Sequence, residues 1–151
     1  MAFEHSVGEF EHLVEKFDET RILRYKLSGW EQLSLNEKKL VYYLSMAGLA
    51  GRDIFWDQGY RHNLKIRRTL EAIYRSVTGK IYCDCLNTPE QTQQWEYFVE
   101  YLKNVWVCSG IHHHSSSEKM KPKFSRQYFE RLLLHTLHTC GVELDPEVID
   151  V

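Results

Sequence analysis

LVYYLSMAGLAGRDIFWDQGYRHNLKIRRTLEAIY, residues 40–74, decides how this chain folds. It holds two helix patterns around a short segment of opposed character. In the first pattern Leu40, Tyr43, Leu44 and Ala47 recur at steps of three and four, and Ser34 with Glu37 forms a capping box ahead of them. These residues are predicted to face inward. Small residues at Ala47, Gly48, Ala50 and Gly51 thin the far end and allow another backbone to come close. The second helix is predicted to start at His62 or Asn63, to carry Ile66, Leu70, Ile73, Tyr74 and Val77 on one side, and to stop at Gly79. Between them Arg52, Asp53 and Asp57 stand among Ile54, Phe55 and Trp56. A lone buried charge is costly, so this predicts a buried or half-buried turn whose charges pair with each other. The segment reads as a structural elbow or as the floor of a cleft. The architectural reading is favoured, because paired charges near a helix end are usually structural. Lys65, Arg67 and Arg68 fall on the solvent side of the second helix or reach back toward Asp53 and Asp57.

Upstream, Phe3, Val7, Phe10, Val14 and Phe17 follow helical steps and predict a helix over 3–17. From Arg21 to Leu27 the period drops to two, which is strand-like. No second strand pattern follows, so this strand would lack a partner for its backbone groups.

Downstream, residues 80–87 read as a loop holding Cys83 and Cys85. Thr88-Pro89-Glu90-Gln91 combines an N-cap, a proline at the first helical position and a capping-box glutamine. The helix it opens is predicted to bury Trp95, Phe98, Val99, Leu102, Val105 and Trp106 and to close near Gly110. IHHHSSSEKMKPKF, from Ile111, is the longest irregular stretch. Ser125 then caps a helix carrying Tyr128, Phe129, Leu132, Leu133 and Thr136 inward and ending at Gly141. Asp145-Pro146-Glu147 begins another helix with only Val148–Val151 to follow, and a single turn does not nucleate alone. The expected fold is mainly α: a bundle of about five helices with at most one or two short strands, one helical domain over 1–151 that is an incomplete lobe of something larger.

The 151 residues are 43% hydrophobic with a net charge of −2. That suits a globular domain with a sizeable core and supplies no basic footprint for nucleic acid or an anionic membrane. No apolar run is long enough to span a bilayer, and residues 1–20 lack a leader pattern. Four cysteines, Cys83, Cys85, Cys108 and Cys140, read as reduced thiols rather than a disulfide framework. The expected location is cytoplasmic, with export behind a removed leader left open.

His112, His113 and His114 invite a metal, and Cys108 lies four residues before the first of them. Three adjacent histidines cannot all point at one ion, and no second ligand pair stands at a characteristic spacing. A polar loop whose imidazoles bond the backbone or face a cleft is favoured over a metal site. His135 and His138 share a face near a helix end, where cationic polarity suits the dipole. There is no Gly-x-Ser-x-Gly elbow and no phosphate-cradling glycine loop. None of the eight histidines precedes a glutamate, so the His-Glu pair of the helical zinc peptidases is missing.

Three blocks nevertheless carry a resemblance: LVYYLSMAGLAGRDIFWDQ, YRHNLKIRRTLEAIY and YLKNVWVCSGIHHHSSSEKMKPKFSRQYFERLL. Together they resemble the amino-terminal part of bacterial dipeptidyl peptidase III of the Bacteroides type, over roughly Arg21 to Leu134. The resemblance implies part of the non-zinc portion of a two-lobed zinc peptidase that releases dipeptides from peptide amino ends. In that family a His-Glu-x-x-Gly-His helix and a Glu-Glu-Cys-Arg helix hold the zinc, and a glutamate acts as base on the metal-bound water. This chain has neither a His-Glu nor a Glu-Glu pair, so it is expected to bind no zinc and to be catalytically silent alone. Residues Ser109, Gly110, His112, His113, His114 and Ser115 match a family stretch, Asn-Gly-Ile-His-His-His-Tyr, that borders the peptide cleft. Ser109 replaces the asparagine and Ser115 the tyrosine, the latter removing a ring that would stack on peptide. Arg52, Asp53 and Asp57 match the family's Gly-Arg-Asp…Asp-Gln block, with a structural role. The implied partners are the remainder of the parent enzyme or a second copy in a dimer. The alternative is a free-standing helical module that binds a protein or peptide through the former cleft face.

Overall fold

The computed structural model describes residues 10–79 and 86–140. The expectations at Phe3 and Val7, at Cys83 and Cys85, and from Gly141 to Val151 lie outside them, as does the Cys140 side chain. The described residues are mainly helical with two short strands. It falls into two compact units, Met1–Leu49 and Ala50–Val151.

In the first unit the strand-like stretch has a partner, and the partner lies where a helix was predicted. Strands β1 (Leu13–Phe17) and β2 (Thr20–Leu23) pair antiparallel, with Phe17 opposite Thr20 and Leu13 opposite Leu23. Asp18 takes a positive φ of 47° in the tight turn between them, a conformation aspartate tolerates better than most residues. Beyond the strands, Arg24 N–H donates to the His12 carbonyl at 2.8 Å and the Arg24 side chain to the Glu11 carbonyl at 2.7 Å. The spacing of Phe10, Val14 and Phe17 does fit a helix. The turn at Asp18 offers the same backbone groups a ladder, and the ladder is what forms over the described part.

Helix α1 (Leu35–Ala50) starts as expected. Glu37 accepts from the Ser34 N–H at 2.8 Å and from its hydroxyl at 2.7 Å, which holds the Glu37 carboxyl below its ordinary pKa. Its apolar face is not inward, however. No residue of α1 is buried, and Leu40, Tyr43 and Leu44 are exposed along with Val41, Tyr42, Met46 and Leu49. Five large apolar residues run consecutively from Leu40 to Leu44, so apolar groups lie on every side and single out no stripe.

The second unit is built around α3 (Asn63–Thr78), which packs against α2 (Asp53–Gly59), α4 (Pro89–Cys108) and α5 (Arg126–Cys140). Its inward face is the predicted one: Ile66, Leu70, Ile73 and Val77 are buried and Tyr74 is half-buried. α4 begins with the full Thr88–Gln91 capping box and buries Phe98, Leu102 and Val105. Trp106, expected inside, is instead 40% exposed. α5 is capped by the Ser125 hydroxyl, which accepts from the Tyr128 N–H at 3.2 Å, and buries Tyr128, Leu132, Leu133 and Thr136. The hydroxyls of Thr136 and Ser76 meet at 2.8 Å in the core, a polar link between α5 and α3. Among the described residues no helix is long and apolar enough to cross a membrane.

Candidate functional site

The segment expected to form a buried charged turn is the short helix α2, and only Trp56 in it is buried. Ile54 and Phe55 are exposed, as are Arg52, Asp53 and Asp57. The three charges do not close on each other. Arg52 is 3.9 Å from Asp53, whereas the short partner of Asp53 is Arg67 of α3, at 2.7 Å. Asp57 joins none of these ion pairs among the described residues. Asp53 and Asp57 share a face of α2 at i,i+4, where two like charges gain nothing from each other, and only Asp53 lies within reach of Arg67.

Arg67 is the hinge of the network that does form. Its Nε donates to Glu71 at 2.8 Å, its Nη1 to Asp53, and its guanidinium lies over the Trp56 ring at 5.2 Å from the centroid. Glu71 also accepts from Arg75 at 3.1 Å and from the Trp106 indole N–H at 3.2 Å. The Glu71–Arg67 and Glu71–Arg75 pairs are i,i+4 contacts, legible in the sequence though not singled out there. Trp106 joins from α4, which no spacing along the chain announces.

Burial alone would raise the Glu71 pKa. The hydrogen bonds from Arg67 and Trp106 and the nearby Arg67 and Arg75 charges outweigh it, and the carboxyl sits below its ordinary 4.5. A depressed folded-state pKa contributes stability that is fully present above the unfolded value, about 4.3. That stability is lost as pH falls through the folded value. Glu71→Gln is therefore expected to flatten the acid limb of a stability-against-pH curve between the unfolded and folded values and to lower stability at neutral pH. Urea midpoints measured across acid pH check this, and an unchanged acid limb would refute it.

The histidine stretch is irregular, as expected, apart from one isolated bridge, but it is tied down at both ends. α4 ends at Ser109, in the left-handed region with φ 53°, and Gly110 N–H donates back to the Val105 carbonyl at 3.0 Å. Ile111 and Met120 are both buried, and the Met120 N–H donates to the Ile111 carbonyl at 2.8 Å. A bridge pairs His112 with Lys119, and His113 N–H donates to the Glu118 carbonyl at 3.0 Å. The result is a tight hairpin with two anchors in the core. His112 is half-buried and meets the Tyr60 ring edge-on at 5.5 Å, and His62 meets the same ring at 5.1 Å. His113, His114 and Ser115 are exposed. Cys108 is a free, half-buried thiol. Among the described residues no three His, Cys, Asp or Glu side chains are grouped to hold a metal ion.

One residue named in the sequence reading only as a possible helix start ties these parts together. Asn63, the first residue of α3, is 2% exposed. Its Nδ2 donates to the Trp56 carbonyl at 3.1 Å, and its Oδ1 accepts from the Ile111 N–H at 3.3 Å. Gly110 lies flat on the amide: a Cβ there would come within 2.8 Å of Asn63 Cγ and closer still to Nδ2. One side chain thus fixes α2, the start of α3 and the root of the histidine hairpin. Beside it, α2, α3 and the end of α4 line an open cavity of about 590 Å³ that Ser109 borders and His112–His114 do not.

No protein-family model matches the chain, and no curated protein matches it.

Proposed function

We propose that this chain is the amino-terminal helical segment of a dipeptidyl peptidase III-like zinc aminopeptidase, supplying one wall of the peptide cleft and no catalytic group. The histidine hairpin carries the reading. A loop that guides a peptide must hold its polar groups in place on a rigid scaffold. Here Ser109, Gly110, His112, His113, His114 and Ser115 sit on a hairpin anchored by Ile111, Met120 and the buried Asn63. Ser109 adds support from its backbone. It takes the left-handed conformation that the family's asparagine accepts at low cost. The exposed apolar residues of α1 offer a surface for the remainder of such an enzyme.

The residues present do not fit a catalytic zinc. The chain has no His-Glu or Glu-Glu pair, and the described residues gather no three-ligand group. No chemical step is assigned to it. Its contribution is to bind and orient peptide, through imidazoles that donate to carbonyls or accept from amides.

Two measurements test the reading together. The purified chain with added zinc should leave dipeptidyl arylamides intact, and the reading frame downstream of Val151 should continue into a His-Glu-x-x-Gly-His motif. Turnover that tracks the protein through purification would overturn the proposal, as would a frame that ends at Val151.

A further inference from the structure

The cavity beside Asn63 has features that the peptide-wall reading does not use. Its volume, about 590 Å³, lies in the range of small-molecule clefts. Arg67 forms a stiff floor, held by Asp53, by Glu71 and by the Trp56 face beneath it. Tyr74 and Trp106 form an aromatic wall, their rings edge to face at 6.3 Å. Tyr74 is braced from behind by stacking on Trp95 at 5.9 Å. At the rim stand Arg52 and Arg75, both well exposed.

The charges around this cavity do not cancel. Arg52, Arg67 and Arg75 bring three positive charges, and Asp53 and Glu71 bring two negative ones. Both carboxylates are engaged by Arg67, so the excess lies with the rim guanidinium groups. Arg52 has only a 3.9 Å approach to Asp53, too long for a hydrogen bond. Arg75 gives one terminal nitrogen to Glu71 and keeps further donors. One surplus positive charge beside an aromatic wall suits a monoanion with a flat or apolar body, and a guanidinium fork suits a carboxylate.

We propose that the cavity lined by Arg52, Arg75, Tyr74 and Trp106 binds a small aromatic carboxylate, its anion on the rim arginines and its ring on the Trp106 wall. The proposal does not depend on the peptidase reading, because it uses neither the histidine hairpin nor α1.

The test uses the 151-residue chain and 3-phenylpropionate, followed by calorimetry and by tryptophan emission excited where the probe does not absorb. Saturable binding is expected. The neutral isostere 3-phenylpropanamide and inorganic phosphate should each bind at least about tenfold more weakly. Arg52→Gln with Arg75→Gln should weaken binding of the acid by at least about tenfold while leaving binding of the amide unchanged. Both arginines are exposed, so thermal unfolding should scarcely move, which separates lost binding from lost fold. Trp106→Leu should weaken acid and amide alike. Equal affinity for acid and amide, phosphate binding as tightly as the acid, indifference to the double arginine substitution, or no saturation would each overturn the proposal.

Discussion

Phe98→Ala is expected to destabilise the Ala50–Val151 unit by about 3–5 kcal/mol, the range for emptying a large aromatic site in a packed core. Phe98 is fully buried. It stacks on Trp95 at 5.1 Å and meets Phe124 at 5.7 Å and Phe129 at 6.5 Å, so one ring joins α4, the segment before α5, and α5. Its neighbours are themselves rings with few rotamers and cannot collapse into the gap, which places the cost toward the upper end. Urea unfolding followed by tryptophan fluorescence checks it, since Trp95 lies against the vacated site. A loss below about 1.5 kcal/mol would mean that the aromatic cluster repacks freely and that α4 is not held as described.

The second large effect concerns the lock between Asn63 and Gly110. Asn63→Ala leaves the buried Ile111 N–H unpaired, at a cost of about 1–3 kcal/mol, and takes one of two donors from the Trp56 carbonyl, which keeps the Tyr60 N–H. Gly110→Ala places a methyl against the Asn63 amide, and overpacking of this kind costs about 1–3 kcal/mol. The amide cannot swing aside without breaking both of its hydrogen bonds. The two substitutions must therefore couple: with the amide gone, the methyl at 110 loses the three atoms it would meet first, and only the cost of its positive φ of 159° remains in common. The double variant is expected to cost less than the sum of the single ones by at least about 1 kcal/mol. Amide exchange at Ile111 should accelerate in either single variant. Strict additivity, or unaltered exchange at Ile111, would show that Asn63 does not hold the root of the histidine hairpin.

Much of the second unit is legible in the residue order, and the reason is local. Thr88 and Gln91, and Ser125 and Tyr128, satisfy helix-end groups three residues away, as Ser34 and Glu37 do in the first unit, so each signal and its partner stand in one short window. The stripe Ile66, Leu70, Ile73 and Val77 survives because, Leu64 in the first turn aside, one side of α3 carries its large aliphatic residues. Where two local solutions compete, the pattern misleads. Phe10, Val14 and Phe17 suit a helix, yet Leu13–Phe17 pairs with Thr20–Leu23 across a turn. At α1 the apolar residues announce a helix but not what covers it.

The candidate site divides in the same way. The positions of Ser109, Gly110 and the three histidines just past a helix end can be read from the chain, because the α4 pattern runs out there. Asn63 cannot be singled out: it precedes its Ile111 partner by 48 residues. The partner of Asp53 is likewise a tertiary outcome. Arg52 is adjacent in sequence, but the approach of α3 to α2 brings Arg67 to 2.7 Å. Trp106 was expected among the core residues, and it is the reach of its indole to Glu71 that holds it at the surface. Residue order by itself determined the starts of α1, α3, α4 and α5 and which face of α3 turns inward, since hydrogen bonds and packing between near neighbours act within a turn or two. The tertiary structure alone decided the Asp53–Arg67 and Glu71–Trp106 contacts and the Asn63–Gly110 lock. Those depend on which distant side chains packing brings within about 3 Å of each other, and no periodicity records that distance.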